Sequence, residues 1–115
     1  MEELVRQISD ETGIAADTVR PALILVFKYL DRDAPQDKVE KLFDAVPGAR
    51  EAMAASKAKA PTSSLGAFMA LNGIGMGMGD LKPFARTFLK IARERTGADT
   101  IDGLVAAVPG LGSVV

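Results

Sequence analysis

The chain contains no cysteine and no histidine. The first absence removes disulfides, thiolate nucleophiles and thiolate metal sites. The second removes the commonest general base near neutral pH and the commonest ligand for zinc, copper or iron. Tryptophan is also absent, and five Phe with one Tyr hold the aromatic content to 5%, so aliphatic side chains are expected to carry the core. No charge of one sign dominates. Fourteen basic and fifteen acidic side chains, spread along the chain, offer no stripe to hold a phosphate backbone, and nucleic acid is excluded as a partner.

A long hydrophobic run is missing too. The longest stretch without charge, residues 60–79, equals a bilayer span in length, but ten of its twenty residues are Gly, Pro, Ser, Thr or Asn. A spanning helix needs about 20 predominantly apolar residues, so no membrane span is expected. The start, Met1-Glu2-Glu3, is acidic and runs into a helical pattern, where a signal peptide would show a basic region and an apolar run. This reads as a cytoplasmic protein. With 115 residues, 48% of them apolar and 25% charged, the chain is expected to form one compact globular domain over 1–115.

What is present is a repeated phrase. "DAVPGAR" at 44–50 returns as "AAVPGLG" at 106–112, and superposing the two fixes an offset of 62 residues that runs back without a gap to Gly13 and Gly75. Nine of the 36 aligned positions are identical, including Pro21/Pro83, Lys28/Lys90, Asp37/Asp99 and Leu42/Leu104. Aligned prolines within matching apolar ladders argue for an internal repeat rather than shared composition. The first copy covers about 13–50 and the second about 75–112, with a linker at about 57–64.

Each copy reads as a helical hairpin. Apolar residues at 19, 22, 23, 26, 27 and 30, and at 81, 84, 85, 88, 89 and 92, fall at helical spacings of three and four. Thr18 and Asp80 are suitable N-caps, which places Pro21 and Pro83 in the first turn, where a missing N–H costs nothing. A start near Ala15 would put the proline farther inside. Asp37 and Asp99 can cap a short second helix, with Glu40 and Asp102 three residues on as in a capping box. The residue before proline is pushed out of the α region, so Val46 and Val108 end that helix, while proline is pre-set to open the next. Ala-Val-Pro-Gly is therefore a helix-to-helix corner.

Further helices are expected over residues 2 to 12, stopped by Gly13; from Pro47 to about Lys57; and from a Ser63 or Ser64 cap through Leu65, Phe68, Met69 and Leu71 to Asn72-Gly73. The fold class is all-α: about six or seven helices built from two related hairpins, with an extra helix at the front.

Motifs that could carry chemistry fail in detail. "GIGMGMGD" at 73–80 leads into a helix and could aim N–H groups at an anion, yet Gly79 is followed by Asp80 and Leu81 rather than Lys-Ser/Thr, and a GxGxxG pattern from Gly73 and Gly75 meets Met78. "DRDAPQDKVE" has the acids of a calcium loop, but Pro35, Gln36 and Leu42 occupy the fifth, sixth and twelfth places. Serines 9, 63, 64 and 113 have no histidine and no well-spaced lysine. A non-enzymatic protein with no cofactor or metal is expected.

Comparison of the copies gives one sharper signal. Ile24 and Leu25 stand where the second copy has Arg86 and Thr87, so the first long helix is apolar nearly all round. Such a helix must be covered on its second side. The cover is either the front helix or the 64–72 segment of the same chain, or a homodimer or protein partner docked at Ile24 and Leu25. An alternative function is a carrier for a small apolar ligand or lipid, with Phe68, Met69, Met76 and Met78 lining a cleft between the copies.

The order of Gly, long helix, "DAVPGA", Gly-rich linker, second long helix and "AAVPGL" resembles the VcgC/VcgE-like group of small bacterial proteins over about Leu4 to Leu111. That resemblance implies a helical protein without assigned activity, and it supplies no catalytic residues.

Overall fold

A computed structural model describes residues 1–107. Among these, seven helices and no strand are found: α1 Glu2–Thr12, α2 Ala16–Asp33, α3 Gln36–Asp44, α4 Ala49–Ala55, α5 Ser64–Gly73, α6 Met78–Thr96 and α7 Ala98–Ala107. The repeated corner's second occurrence, Val108-Pro109-Gly110, lies outside the described residues.

α2 is the hub, because it is a long helix with apolar residues on two sides. α1, α3, α4 and α5 all pack on it, while α6 packs on α1, α3 and α7. Phe27 of α2 is fully buried. Its ring meets Phe43 of α3 edge-on at 5.5 Å and Phe88 of α6 at 5.8 Å. Phe84 is also buried. Scarce as they are, the aromatics sit at the junction of three helices, so the core is not carried by aliphatic packing alone.

Local chemistry sets the helix ends. Gly13 stops α1 in the left-handed region at φ 78°, its N–H donating to the Ser9 carbonyl, a conformation that a side chain resists. Ser63 caps α5 through its hydroxyl, which accepts from the Gly66 N–H at 3.0 Å. The first Ala-Val-Pro-Gly segment is a corner as expected: α3 ends at Asp44, Val46 is 1% exposed in the core, and Gly48 turns at φ 87° before α4 begins at Ala49. Pro47 itself precedes that helix.

Two expected starts lie elsewhere. α2 begins after Ala15 and α6 after Gly77, one turn earlier than the Thr18 and Asp80 caps. Pro21 and Pro83 are each the sixth helical residue. Their missing N–H groups free only the carbonyls of Asp17 and Gly79, both exposed residues that water can serve, so the helices run through. Likewise α3 and α7 start one residue before Asp37 and Asp99, which then place carboxylates in the first turn, favourable to the helix dipole, instead of capping. Glu40 and Asp102 do not reach back as capping-box partners; they pair with Arg50 and Arg93.

Ion pairs strap the helices from outside. Arg20 of α2 forks onto Glu2 of α1, with its Nε and Nη2 atoms donating at 2.6 to 3.1 Å. Lys90 of α6 binds Glu11 of α1, and Arg93 of α6 binds Asp102 of α7. Arg95 donates to Gln7 Oε1 at 3.0 Å and to the Ala45 carbonyl at 3.3 Å, joining α6 to α1 and to the corner after α3.

Pro83 is exposed, so its replacement tests the helix register without disturbing the core. Pro83→Ala is expected to raise stability by about 1–2 kcal/mol, the helix-interior penalty of proline less its effect on the unfolded chain. Denaturant unfolding checks this; a proline in the first turn would give no gain.

Candidate functional site

The sequence offers four places to look, and the structure separates them. In the glycine-rich corner between α5 and α6, the N–H groups of Ile74, Gly75 and Met76 donate back to the carbonyls of Leu71 and Asn72 at 3.1 to 3.3 Å. Those of Asp80 and Leu81 donate to the Gly77 carbonyl. Most of these amides therefore close the corner on itself.

In the acidic string, Asp31, Asp33 and Asp37 are exposed, and the Asp31 carbonyl accepts from Gln36 Nε2 at 2.7 Å. Among the described residues no group of three or more acidic, His or Cys side chains is placed to hold a metal ion.

Leu25 is covered by its own chain, and Ile24 only in part. Leu25 is 7% exposed and belongs to the core, and Ile24 is half-buried. α4 and α5 both lie on α2, and Lys28 Nζ donates to the carbonyls of Ser56, at 3.0 Å, and Ala58 beyond the end of α4. The second apolar side of α2 is therefore closed within the protein at Leu25 and left partly open at Ile24.

The four residues assigned to an apolar cleft are split. Met76 is 2% exposed in the core, Phe68 is half-buried, and Met69 and Met78 project to solvent at 63% and 75% exposure. Leu65, at 68%, joins them on the surface. Leu65 and Met69 are one helical turn apart on α5 and so share a face. Leu65 escaped the sequence reading because α5 is apolar on all sides, and its periodicity could not say which side faces out. Residues 60–79 carry no charge, and that was the signal available.

A groove of about 380 Å³ between α2, α3 and α4 was not foreseen, since three separate helices build it. Phe43 and Met53 floor it, with Lys28, Asp31, Glu40 and Arg50 around them. Arg50 lies 5.8 Å from the Phe43 ring centre and binds Asp44 at 2.9 Å and Glu40 at 3.1 Å. Its charge is already neutralised by its own neighbours.

The resolved pKa shifts belong to the surface straps. The hydrogen bond from Arg20 holds Glu2 below its ordinary value, and Glu2 raises Arg20 in return. Asp44 raises Arg50, and Glu11 raises Lys90. Each change deepens the ordinary charged state of its own group. No family model, curated protein or solved structure matches the chain. Among the described residues no helix is long and apolar enough to cross a membrane.

Two predictions follow from these placements. Leu25→Thr is expected to cost about 2–4 kcal/mol by denaturant unfolding, through lost burial and a buried hydroxyl, whereas Ile24→Arg costs less because its side chain can reach water. Equal costs would contradict the burial. Glu2 is expected to titrate below the ordinary glutamate range in an NMR titration, and Arg20→Gln should return it upward. With its folded pKa depressed, this group adds stability above its unfolded pKa and loses it as the pH falls through the folded value. A midpoint indifferent to Arg20→Gln would remove the pair.

Proposed function

We propose that this is a non-enzymatic helical protein that acts through protein contact, using the outward face of α5 and the neighbouring start of α6. The observation that supports this reading most is the exposure of Leu65, Met69 and Met78, whereas the other large apolar side chains among the described residues are buried or half-buried. Elsewhere the surface is dressed with paired charges, on α1, α2, α3, α6 and α7. Leu65 and Met69 share one exposed face of α5, exposed apolar surface of this kind marks an interaction site, and methionine suits such a site because its side chain adapts to the surface it meets.

We also infer that the protein is a duplicated three-helix unit. α1, α2 and α3 start at 2, 16 and 36, and α5, α6 and α7 start at 64, 78 and 98, the same 62-residue step three times. Gly13 and Gly75 both take positive φ, at 78° and 99°. Val39 and Ile101 are both fully buried, and Leu42 and Leu104 are both 1% exposed. The unit is thus one helix longer than the hairpin read from the sequence. α1 becomes the counterpart of α5, and α4 the joint between the units.

Site-specific photo-crosslinking in the source cell tests the contact reading. A crosslinking residue at position 69 is expected to give a discrete protein adduct, and the same residue at Glu3, the solvent position of α1, none. Absence of any protein adduct from 69, or equal labelling from both positions, would overturn it.

A further inference from the structure

The two equivalent helices α1 and α5 are seated differently. Along the 62-residue step, Leu4, Val5 and Ile8 of α1 correspond to Gly66, Ala67 and Ala70 of α5. The first three are at most 1% exposed, whereas the second three are half-buried, and Leu71 is the one buried side chain of α5 among the described residues. Accordingly α1 packs on both long helices, α2 and α6, while α5 packs to a comparable extent only on α2. At these positions α5 buries less apolar surface than α1, and packing rather than propensity is what holds a short helix in place.

α1 is also strapped from outside, by Glu2 to Arg20, Gln7 to Arg95 and Glu11 to Lys90. The counterparts in α5 are Ser64, Met69 and Gly73, and residues 60–79 carry no charge, so no ion pair can tie α5 to its neighbours. The chain on either side of α5, by contrast, is fixed. Before it, Lys28 Nζ donates to the carbonyls of Ser56 and Ala58, and Pro61 is buried. After it, Met76 is 2% exposed in the core. Between these anchors and the body of the helix lie exposed Thr62 and Ser63 on one side, and exposed Asn72, Gly73 and Gly75 on the other. Gly75 takes φ 99°, and a Cβ built on Gly73 meets nothing within 4 Å. Glycine leaves that end of the helix wide freedom to turn, and no neighbour crowds it.

We propose that α5 is a strap that releases from α2 as one unit, between the fixed points at Pro61 and Met76, while the other six helices stay folded. A helix of ten residues is marginal in water once its packing is gone, so release and melting are one event. Elements with few buried contacts open at the low end of the range of local unfolding free energies, and α5 is such an element. The fold then has two states: a closed one, and an open one in which the stretch of α2 beneath α5 is bared and the apolar side chains of α5 stand free on a tether. Any molecule that recognises either surface shifts the balance by its preference for the open form. This device goes beyond the protein-contact reading, because it does not depend on what the outer face of α5 touches when closed.

Native-state hydrogen exchange of the full chain, followed residue by residue by NMR over a series of low urea concentrations, tests this. In the wild type the amides of Ala67 to Leu71 are expected to exchange through one common opening, at least about 100-fold more frequent than the opening that exposes Phe27 at the centre of the bundle. Ile101→Val is a mild change at a fully buried site on α7, which packs on α3 and α6. It is expected to speed exchange at Phe27 about fivefold, by lowering the stability of the whole chain, and to leave exchange in α5 unchanged. Equal acceleration at both would mean that α5 opens only when the whole chain unfolds, which overturns the strap. So does protection at Ala67 to Leu71 that matches Phe27 in the wild type, or amides that open singly, fraying inward from Gly73 with no common value. The wild type supplies the first readout by itself, so the test does not hang on the variant.

Discussion

The packing of Phe27 between Phe43 and Phe88 is the interaction on which the architecture turns. It joins α2 to α3, the next helix in the chain, and to the distant α6, and it does so from the middle of α2, a long helix apolar on two sides. Once that ring is placed, α3 and α6 are committed to one side of α2. The other side must then be closed by something else. α4 and α5 close it, with Lys28 holding the carbonyls beyond α4. Burying both sides of one helix explains why a chain of this length uses so many short helices: each covers a stripe that no single long partner could reach.

The outside follows a different rule. Arg20, Lys90 and Arg93 carry ion pairs between neighbouring helices, each exposed and individually weak, but together they mark which surfaces are meant for water. α5 stands apart from that pattern. Its outward side chains are Leu65 and Met69, it ends on Gly73, and its core-facing side is Ala67, Ala70 and Leu71. A helix apolar all round is normally buried all round. Here the chain's own helices cover only part of it.

Much of this was legible before any coordinates. The stop at Gly13, a serine cap at 63 or 64, the end of α5 at Asn72-Gly73 and the first proline corner at Val46 were all readable, because each depends on the dihedral preference or hydrogen-bonding capacity of a residue within one turn of the feature. The starts of α2 and α6 were misplaced for a related reason. Proline's local penalty suggested the first turn, but the carbonyls it leaves free at Asp17 and Gly79 face water, and exposure is not a local property. The capping boxes failed similarly, since Arg50 and Arg93 compete for Glu40 and Asp102 from other helices.

The sequence by itself determined the number and kind of helices, most of their ends, and the apolar stripes of α2 and α6, because a repeat of 3.6 residues is written in neighbouring positions. Only the tertiary structure decided that Leu25 lies inside, that Met76 is buried while Met69 and Met78 are not, and that Leu65 faces out. A side chain's apolar character states that it gains by leaving water. Which surface receives it depends on helices tens of residues away, and on whether their side chains, Gly66 and Ala70 rather than Leu4 and Ile8, are large enough to close the gap.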